Sequence, residues 1–364
     1  MNNKICLASF VSLLGMSALV MASPVEESSI KWREANEQVS QFPRGHADIL
    51  KWEQANTPKN SKEPEAKGLP LLSAEAVVRQ AWLAHPDLAS PLRQFGSGNV
   101  QLIASGRWIE LDPAVSLRIE DSDEVLDVAR DARQAWLVAV AAKQGLQHQQ
   151  DALEATEAAA ELAKRMAKVG NWSRLQQAQE QSALIEAQQQ WRRVQNEANQ
   201  SRVALLKVLN LWTRNKPQAI ALPERLPDLP SDMMTPEALQ ARLDFVVPRL
   251  PRKEQIETRA NAQLAYDVYR AAYQQARSYR DDVLKLRQFI YDESVLRYNG
   301  MLMNVWELLA ETKARSLAVD SAIQALRDFW LAEADLQFVL QGGAPDSFVS
   351  LSGGSADAAA PGGH

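Results

Sequence analysis

The residues that could do chemistry are few and scattered. Four histidines, His46, His85, His148 and His364, fall at no spacing that builds a metal site. His85 stands directly before Pro86, as a helix-end residue does. Met301 and Met303 form a Met-x-Met pair whose thioethers suit Cu(I), although packing at a helical turn is the commoner use. Two carboxylate pairs, Asp281-Asp282 and Asp292-Glu293, have the composition of acid–base machinery. They lie on a long amphipathic segment with no accompanying base, nucleophile or pocket, which is the pattern of a solvated face. Gly96-Ser97-Gly98 lacks the lysine and the following helix of a phosphate-binding loop. The one cysteine, Cys6, sits in an apolar N-terminal run, which leaves the rest of the chain without thiol chemistry or disulfides. Five of the ten tryptophans, Trp172, Trp191, Trp212, Trp306 and Trp330, fall on or beside helical seams, where core packing accounts for them. The expectation is a non-enzymatic protein with no catalytic, cofactor-binding or metal-ligating residues.

The elements that position these residues are announced by proline. The chain of 364 residues has 17 prolines, yet none between Pro113 and Pro217 and none between Pro251 and Pro345. At ordinary usage a proline recurs about every 20 residues. Gaps this wide predict long helices, because an interior proline costs about 3 kcal/mol or more. An all-β protein or a compact α/β enzyme is thereby disfavoured. The near balance of 40 Lys+Arg against 45 Asp+Glu gives no basic excess for nucleic acid.

Lys4 followed by the apolar run Ile5–Met21 and the small residues before Ser23-Pro24 predicts a secretory signal peptide over 1–22, cleaved after Ala22. Residues 23–70 are polar and end in a linker, and Phe42, Ile49 and Trp52 form a candidate docking segment. A first repeat is expected over 71–212. It opens with a short helix capped by Ser73 and continues with a small β-hairpin near 100–120, turning at Ser105-Gly106. A long helix follows from about Asp123 to Lys168, then a break at Gly170-Asn171 and a helix from about Trp172 to Trp212. Residues 213–251 hold seven prolines and read as a linker. A second helical hairpin over 252–341 breaks at Asn299-Gly300, and 342–364 reads as a disordered Gly/Ala/Ser tail. Leu184, Trp191, Ala198, Leu205 and Trp212 recur by sevens, as do Leu302, Leu309, Ser316, Ile323 and Trp330. Mostly apolar companion rows predict coiled-coil packing. The fold class is therefore all-α: long antiparallel coiled-coil hairpins duplicated in the chain, with at most one short β-hairpin.

The two hairpins read as copies. Gly170 and Gly300 are 130 residues apart, and each follows an arginine and precedes a heptad helix. Glycine suits such a turn because the chain takes positive φ there. With these features the chain resembles the TolC-like outer-membrane efflux proteins over about residues 70–341. The carrying residues are Arg165, Gly170, Asn171, Ser173 and Leu175, then Arg297-Tyr298-Asn299-Gly300 leading to Glu307-Leu308-Leu309-Ala310. Leu71-Leu72-Ser73-Ala74-Glu75-Ala76 with His85-Pro86-Asp87-Leu88 is similar to that family's opening helix.

The resemblance implies a trimer whose hairpins form a periplasmic α-helical tube. It also implies an efflux or export role in a tripartite pump, reached by docking the Gly-turn tips to a periplasmic adaptor protein. Carried over by position, the partner-binding residues are Val169, Gly170, Asn171, Asn299, Gly300 and Met301. The implied location is the periplasm or the periplasmic face of the outer membrane. One departure stands out: the family inserts two transmembrane β-hairpins per chain, and a spanning strand needs about 9–11 residues. The segment near 100–120 has room only for strands of four to six, and Pro248 and Pro251 break any strand over 236–253. A periplasmic coiled-coil scaffold without a channel is therefore the alternative. The segment from Phe42 to Trp52 is similar to those of TolC-like chains associated with multicopper oxidases, which makes such an oxidase or a metal-efflux subunit a candidate partner and metal resistance a candidate role.

Overall fold

The computed structural model describes residues 68–351, apart from 214, 215 and 346. The expected signal peptide, the segment with Phe42, Ile49 and Trp52, and residues 352–364 lie outside the described residues. Strand β1 (Leu69–Pro70) precedes helix α1 (Ala74–Leu83), α2 (Ala89–Ala104) and α3 (Pro113–Ser116). The first long hairpin is α4 (Ser122–Lys168) and α5 (Arg174–Val208). Strands β2 (Trp212–Thr213), β3 (Lys216–Pro217) and β4 (Ile220–Ala221) and helix α6 (Pro236–Val246) fill the proline-rich region. The second hairpin consists of α7 (Arg252–Ser278), a π turn at Tyr279–Val283, α8 (Leu284–Asn299) and α9 (Val305–Val339). β1 pairs parallel with β4, and β2 pairs antiparallel with β3. The fold is all-α and built on duplicated long antiparallel hairpins. At 47 residues α4 is about 70 Å long. No described helix is long and apolar enough to cross a membrane.

The hairpins pack side by side through their inner helices. α4 lies against α5 on one side and α9 on the other, and α9 also meets α7 and α8. One apolar core joins α1, α4, the end of α5 and Phe338; the other joins α6, α7 and α9 around Tyr266, Tyr269, Tyr273 and Phe329. Indole N–H groups fasten the short elements to this frame. Trp82 donates to the Val125 carbonyl at 3.2 Å, Trp136 to Leu71 at 2.9 Å and Trp330 to Pro227 at 3.0 Å.

The expected β-hairpin near 100–120 is absent, and a helix takes its first half. Ser105-Gly106 does turn the chain, but as a helix C-terminus. Gly106 has φ +77, its N–H donates to Ile103, and the Arg107 N–H donates to Leu102. These are the two bonds of a Schellman cap. The second expected strand is a tight turn over Trp108–Glu110. Trp108 is buried, and its N–H donates to the Gln337 side chain at 2.7 Å while its carbonyl accepts from Gln341. Side chains of the last helix and of the turn just after it thus satisfy the backbone groups that a strand partner would have taken.

Two further expectations change. Along α5 the heptad row is partly buried, with Leu205 fully so, but Trp212 has left the helix and is half exposed. Leu302 likewise precedes α9. The stretch after Gly342 was expected to be disordered, yet Phe348 and Leu351 pack against the second core.

The seam between α4 and α9 is polar as well as apolar. Gln134 donates to Asp335 at 2.7 Å, Gln149 donates to Asp320 at 3.0 Å, and Arg133 pairs with Glu333 at 2.8 Å. Burial pushes the Asp320 and Glu333 carboxyls up, against the hydrogen bond from Gln149 and the charge of Arg133 respectively. Burial also raises Asp335 to about 6, against the bond from Gln134 and the charge of Arg130, while the charge of Asp131 adds to the rise. An unfolded aspartate titrates near 3.9. The stability that Asp335 contributes is therefore full below about pH 4 and is lost as pH rises through 6. Asp335→Asn, which mimics the protonated form, should raise the melting temperature at pH 7.5, by about 1–2 kcal/mol in stability. Thermal melts followed by circular dichroism should show that gain shrinking toward zero at pH 4.5.

Candidate docking surface at the hairpin tips

Both hairpins reverse by the same mechanism. At the first tip Val169 closes α4, the Gly170 N–H donates to Ala167, and the Asn171 N–H donates to Met166. Ser173 then caps α5, accepting from the Gln176 N–H at 3.2 Å while the Gln176 side chain accepts from the Ser173 N–H at 3.0 Å. At the second tip Gly300 closes α8, the Met301 N–H donates to Tyr298, and the Leu302 N–H donates to Arg297. Asn304 caps α9, accepting from the Glu307 N–H at 2.9 Å and donating to the Glu307 side chain at 2.7 Å. Each tip is a Schellman cap followed by a reciprocal N-terminal cap.

This bonding corrects the glycine alignment by one residue. Gly170 takes the left-handed position with φ +82, but its counterpart is Met301 at φ +59. Gly300 has φ −80 and needs no glycine. The repeat is therefore 131 residues, Ser173 to Asn304, rather than the 130 between the glycines.

The structure brings all six sequence-derived residues to the tips. Val169 is 68% exposed and Met301 94% exposed. Gly170, Asn171, Asn299 and Gly300 are also exposed. Heptad reading missed Leu175, Leu296 and Leu302, which extend the apolar surface; Leu302 is 80% exposed although it was assigned to a seam. The two tips are joined by a stack of Trp172 on Trp306, with ring centroids 4.2 Å apart and planes 24° from parallel. Such a pair contributes about 0.5–1.5 kcal/mol beyond the area it buries. An exposed apolar cluster carried on a fixed pair of turns has the composition of a contact surface.

The surrounding charge is basic. Glu161 accepts a hydrogen bond from Arg165 at 2.9 Å and lies near Lys164, and these hold its carboxyl below the usual range. Among the described residues Lys168, Arg174 and Arg297 have no ion-pair partner. The carboxylates singled out in the sequence have ordinary surroundings. Asp281 is ion-paired with Arg280 and Arg277, and Asp292 accepts from Gln288 at 2.8 Å.

No protein-family model and no curated protein sequence matches the chain. Among solved structures it is similar to CusC, a protein studied for the conformational changes that accompany folding and transmembrane channel formation. That match has 14% identity and a TM-score of 0.47, covering 74% of this chain and 91% of CusC. It is also similar to a membrane protein from Pseudomonas aeruginosa, at 14% identity and a TM-score of 0.42, covering 66% of this chain and 72% of the other. A third is the CmeC outer membrane channel of Campylobacter jejuni, at 14% identity and a TM-score of 0.44, covering 71% and 69%. At TM-scores of 0.42 to 0.47 these likenesses carry no argument, and the fold and the functional reading rest on the hairpins themselves.

Backbone geometry separates the two glycines. Gly170→Ala should cost about 1–2 kcal/mol, because a side chain is strained at positive φ. Gly300→Ala should be close to neutral, since its φ is helical and no atom lies nearer than 3.4 Å to the added carbon. Met301→Gly should be stabilising by about 0.5–1 kcal/mol, the strain relieved less the backbone entropy that glycine loses. Urea titrations of the three variants check this; equal losses for Gly170→Ala and Gly300→Ala would contradict the bonding register.

Proposed function

We propose that this protein is a non-enzymatic component of an export system of the cell envelope, docking through its paired hairpin tips to a periplasmic adaptor protein of a tripartite pump. The observation that carries this reading is the exposed apolar cluster of Val169, Met301 and Leu302 on two turns held together by Trp172 and Trp306. The single chain gives these side chains nothing to bury against, whereas a helical partner tip would. Unpaired Lys168, Arg174 and Arg297 favour an acidic rim on that partner. The sequence features of an exported, TolC-like chain support a periplasmic location and a homotrimer.

A second reading, a periplasmic scaffold that conducts nothing, is favoured by one observation: no described strand exceeds two residues. A spanning strand needs about 9–11. On that reading the same tips bind an envelope partner such as a multicopper oxidase or a metal-efflux subunit.

The tips can be tested without disturbing the fold. In a strain lacking the chromosomal gene, a Val169→Asp/Met301→Asp/Leu302→Asp variant should fail to restore resistance to exported compounds. Its melting temperature should stay within about 2 °C of the unaltered chain, as expected for exposed sites. Full restoration by this variant would exclude tip docking. Fractionation separates the two readings: an export component is recovered with the outer membrane, and a free scaffold with the soluble periplasm.

A further inference from the structure

At the opposite end of α4 three side chains from three different elements converge. His85 lies between α1 and the short 3-10 turn that begins at Pro86, Asp87 lies in that turn, and Glu124 lies in the first turn of α4. One ligand atom from each, an imidazole nitrogen and two carboxylate oxygens, lies within 4.8 Å of the other two. Three ligands around an ion at 2.0–2.2 Å stand about 3–4 Å apart, so modest side-chain rotation closes the set. We propose that His85, Asp87 and Glu124 form a binding site for a divalent transition cation of the Zn2+ type.

Charge and rigidity both support a cation. Among the described residues neither Asp87 nor Glu124 makes an ion pair or side-chain hydrogen bond. Two negative groups are thus held near each other with no protein cation between them. The C-terminal end of α1, the negative end of its dipole, ends one residue before His85, at Ala84. The backbone that carries the ligands is fixed. The His85 N–H donates to Trp82 at 3.1 Å, and the His85 carbonyl accepts from the Leu88 N–H at 3.1 Å. Trp82 in turn binds the Val125 carbonyl, one residue beyond Glu124. Leu88 and Val125 are both fully buried beside this junction. The donor set excludes a soft monovalent ion, since no sulfur takes part, and the imidazole favours Zn2+ and its neighbours over Mg2+ or Ca2+. Three protein ligands leave a coordination position open to water or a further donor. The sequence did not disclose the group because Glu124 lies 37 residues beyond Asp87.

The test uses the whole exported chain, stripped with EDTA and titrated with Zn2+ by calorimetry, and with Co2+ by visible absorption. The background carries His46→Ala and His364→Ala, which removes the histidines outside the described residues. One saturable ion per chain is expected. His85→Ala, Asp87→Asn and Glu124→Gln should each weaken it at least tenfold, with unchanged circular dichroism, while His148→Ala should not. Absence of saturable binding overturns the proposal. So does binding in all three ligand variants within twofold of the parent. Loss in His85→Ala alone overturns it too, because a single histidine is then the binder.

Discussion

The structure depends on one constraint: α9 is enclosed by both hairpins along its C-terminal half, yet carries Asp320, Glu333 and Asp335. Removing a carboxylate from water costs several kcal/mol unless a donor replaces the water. The replacements come from α4, from α9 itself and, at Asp335, also from the Val349 backbone. Fifteen residues separate Gln134 from Gln149, and fifteen separate Asp320 from Asp335, so the two bonds belong to a single antiparallel register. Gly145 admits Asp320 at a point where an added Cβ would lie 2.6 Å from its carboxyl oxygen. A slip of one turn would part these carboxylates from Gln134, Gln149 and Arg133 on α4. The register reaches the tips: Val169 is thirty-five residues past Gln134, and Gly300 is thirty-five before Asp335. The two C-terminal caps therefore come level, and the stack of Trp172 on Trp306 follows from pairing done far down the seam.

Much of this was legible in the sequence, for identifiable reasons. Proline exclusion and heptad spacing are local signals. They placed α4 within a residue of its start and put both breaks at the right turns. What failed was set by distant contacts. Gln101-Leu102-Ile103-Ala104 has the composition of a strand, and only Gln337 and Gln341, more than 220 residues on, decide that Trp108 needs no strand partner. Asp320, Glu333 and Asp335 look like solvated helix residues until α4 covers them. The stretch from Gly342 reads as a Gly/Ala/Ser tail, but among its described residues Phe348 and Leu351 pack on the second core, a contact no local signal announces.

The second tip shows how composition can mislead by one position. Gly300 is the residue a reader would place at the left-handed corner, yet Met301 occupies it. A non-glycine in that conformation costs about 1–2 kcal/mol. The structure accepts that cost at a residue whose side chain is 94% exposed and whose N–H donates to Tyr298 in the cap. The Schellman bonds before it and the Asn304 cap after it hold the corner in place. The equivalent corner of the first hairpin is an unstrained glycine. The two tips are thus alike in backbone and unlike in side chain, and a partner touching both meets an asymmetric surface.

The end of the molecule opposite the tips follows a different logic. Between Ala104 and Leu111 the backbone is tied by a Schellman cap, by a tight turn and by the side chains of Gln337 in α9 and Gln341 just past its end. Trp108 and Leu111 are buried there in the first core. Extending this segment into a β-hairpin would break those bonds and expose an indole that α9 covers, at a loss of about 1.5–3 kcal/mol for the side chain alone. The helical arrangement is therefore the self-consistent state of this end. A conducting path would need its strands from residues other than these, whereas tip contact needs only the register that α4 and α9 already fix.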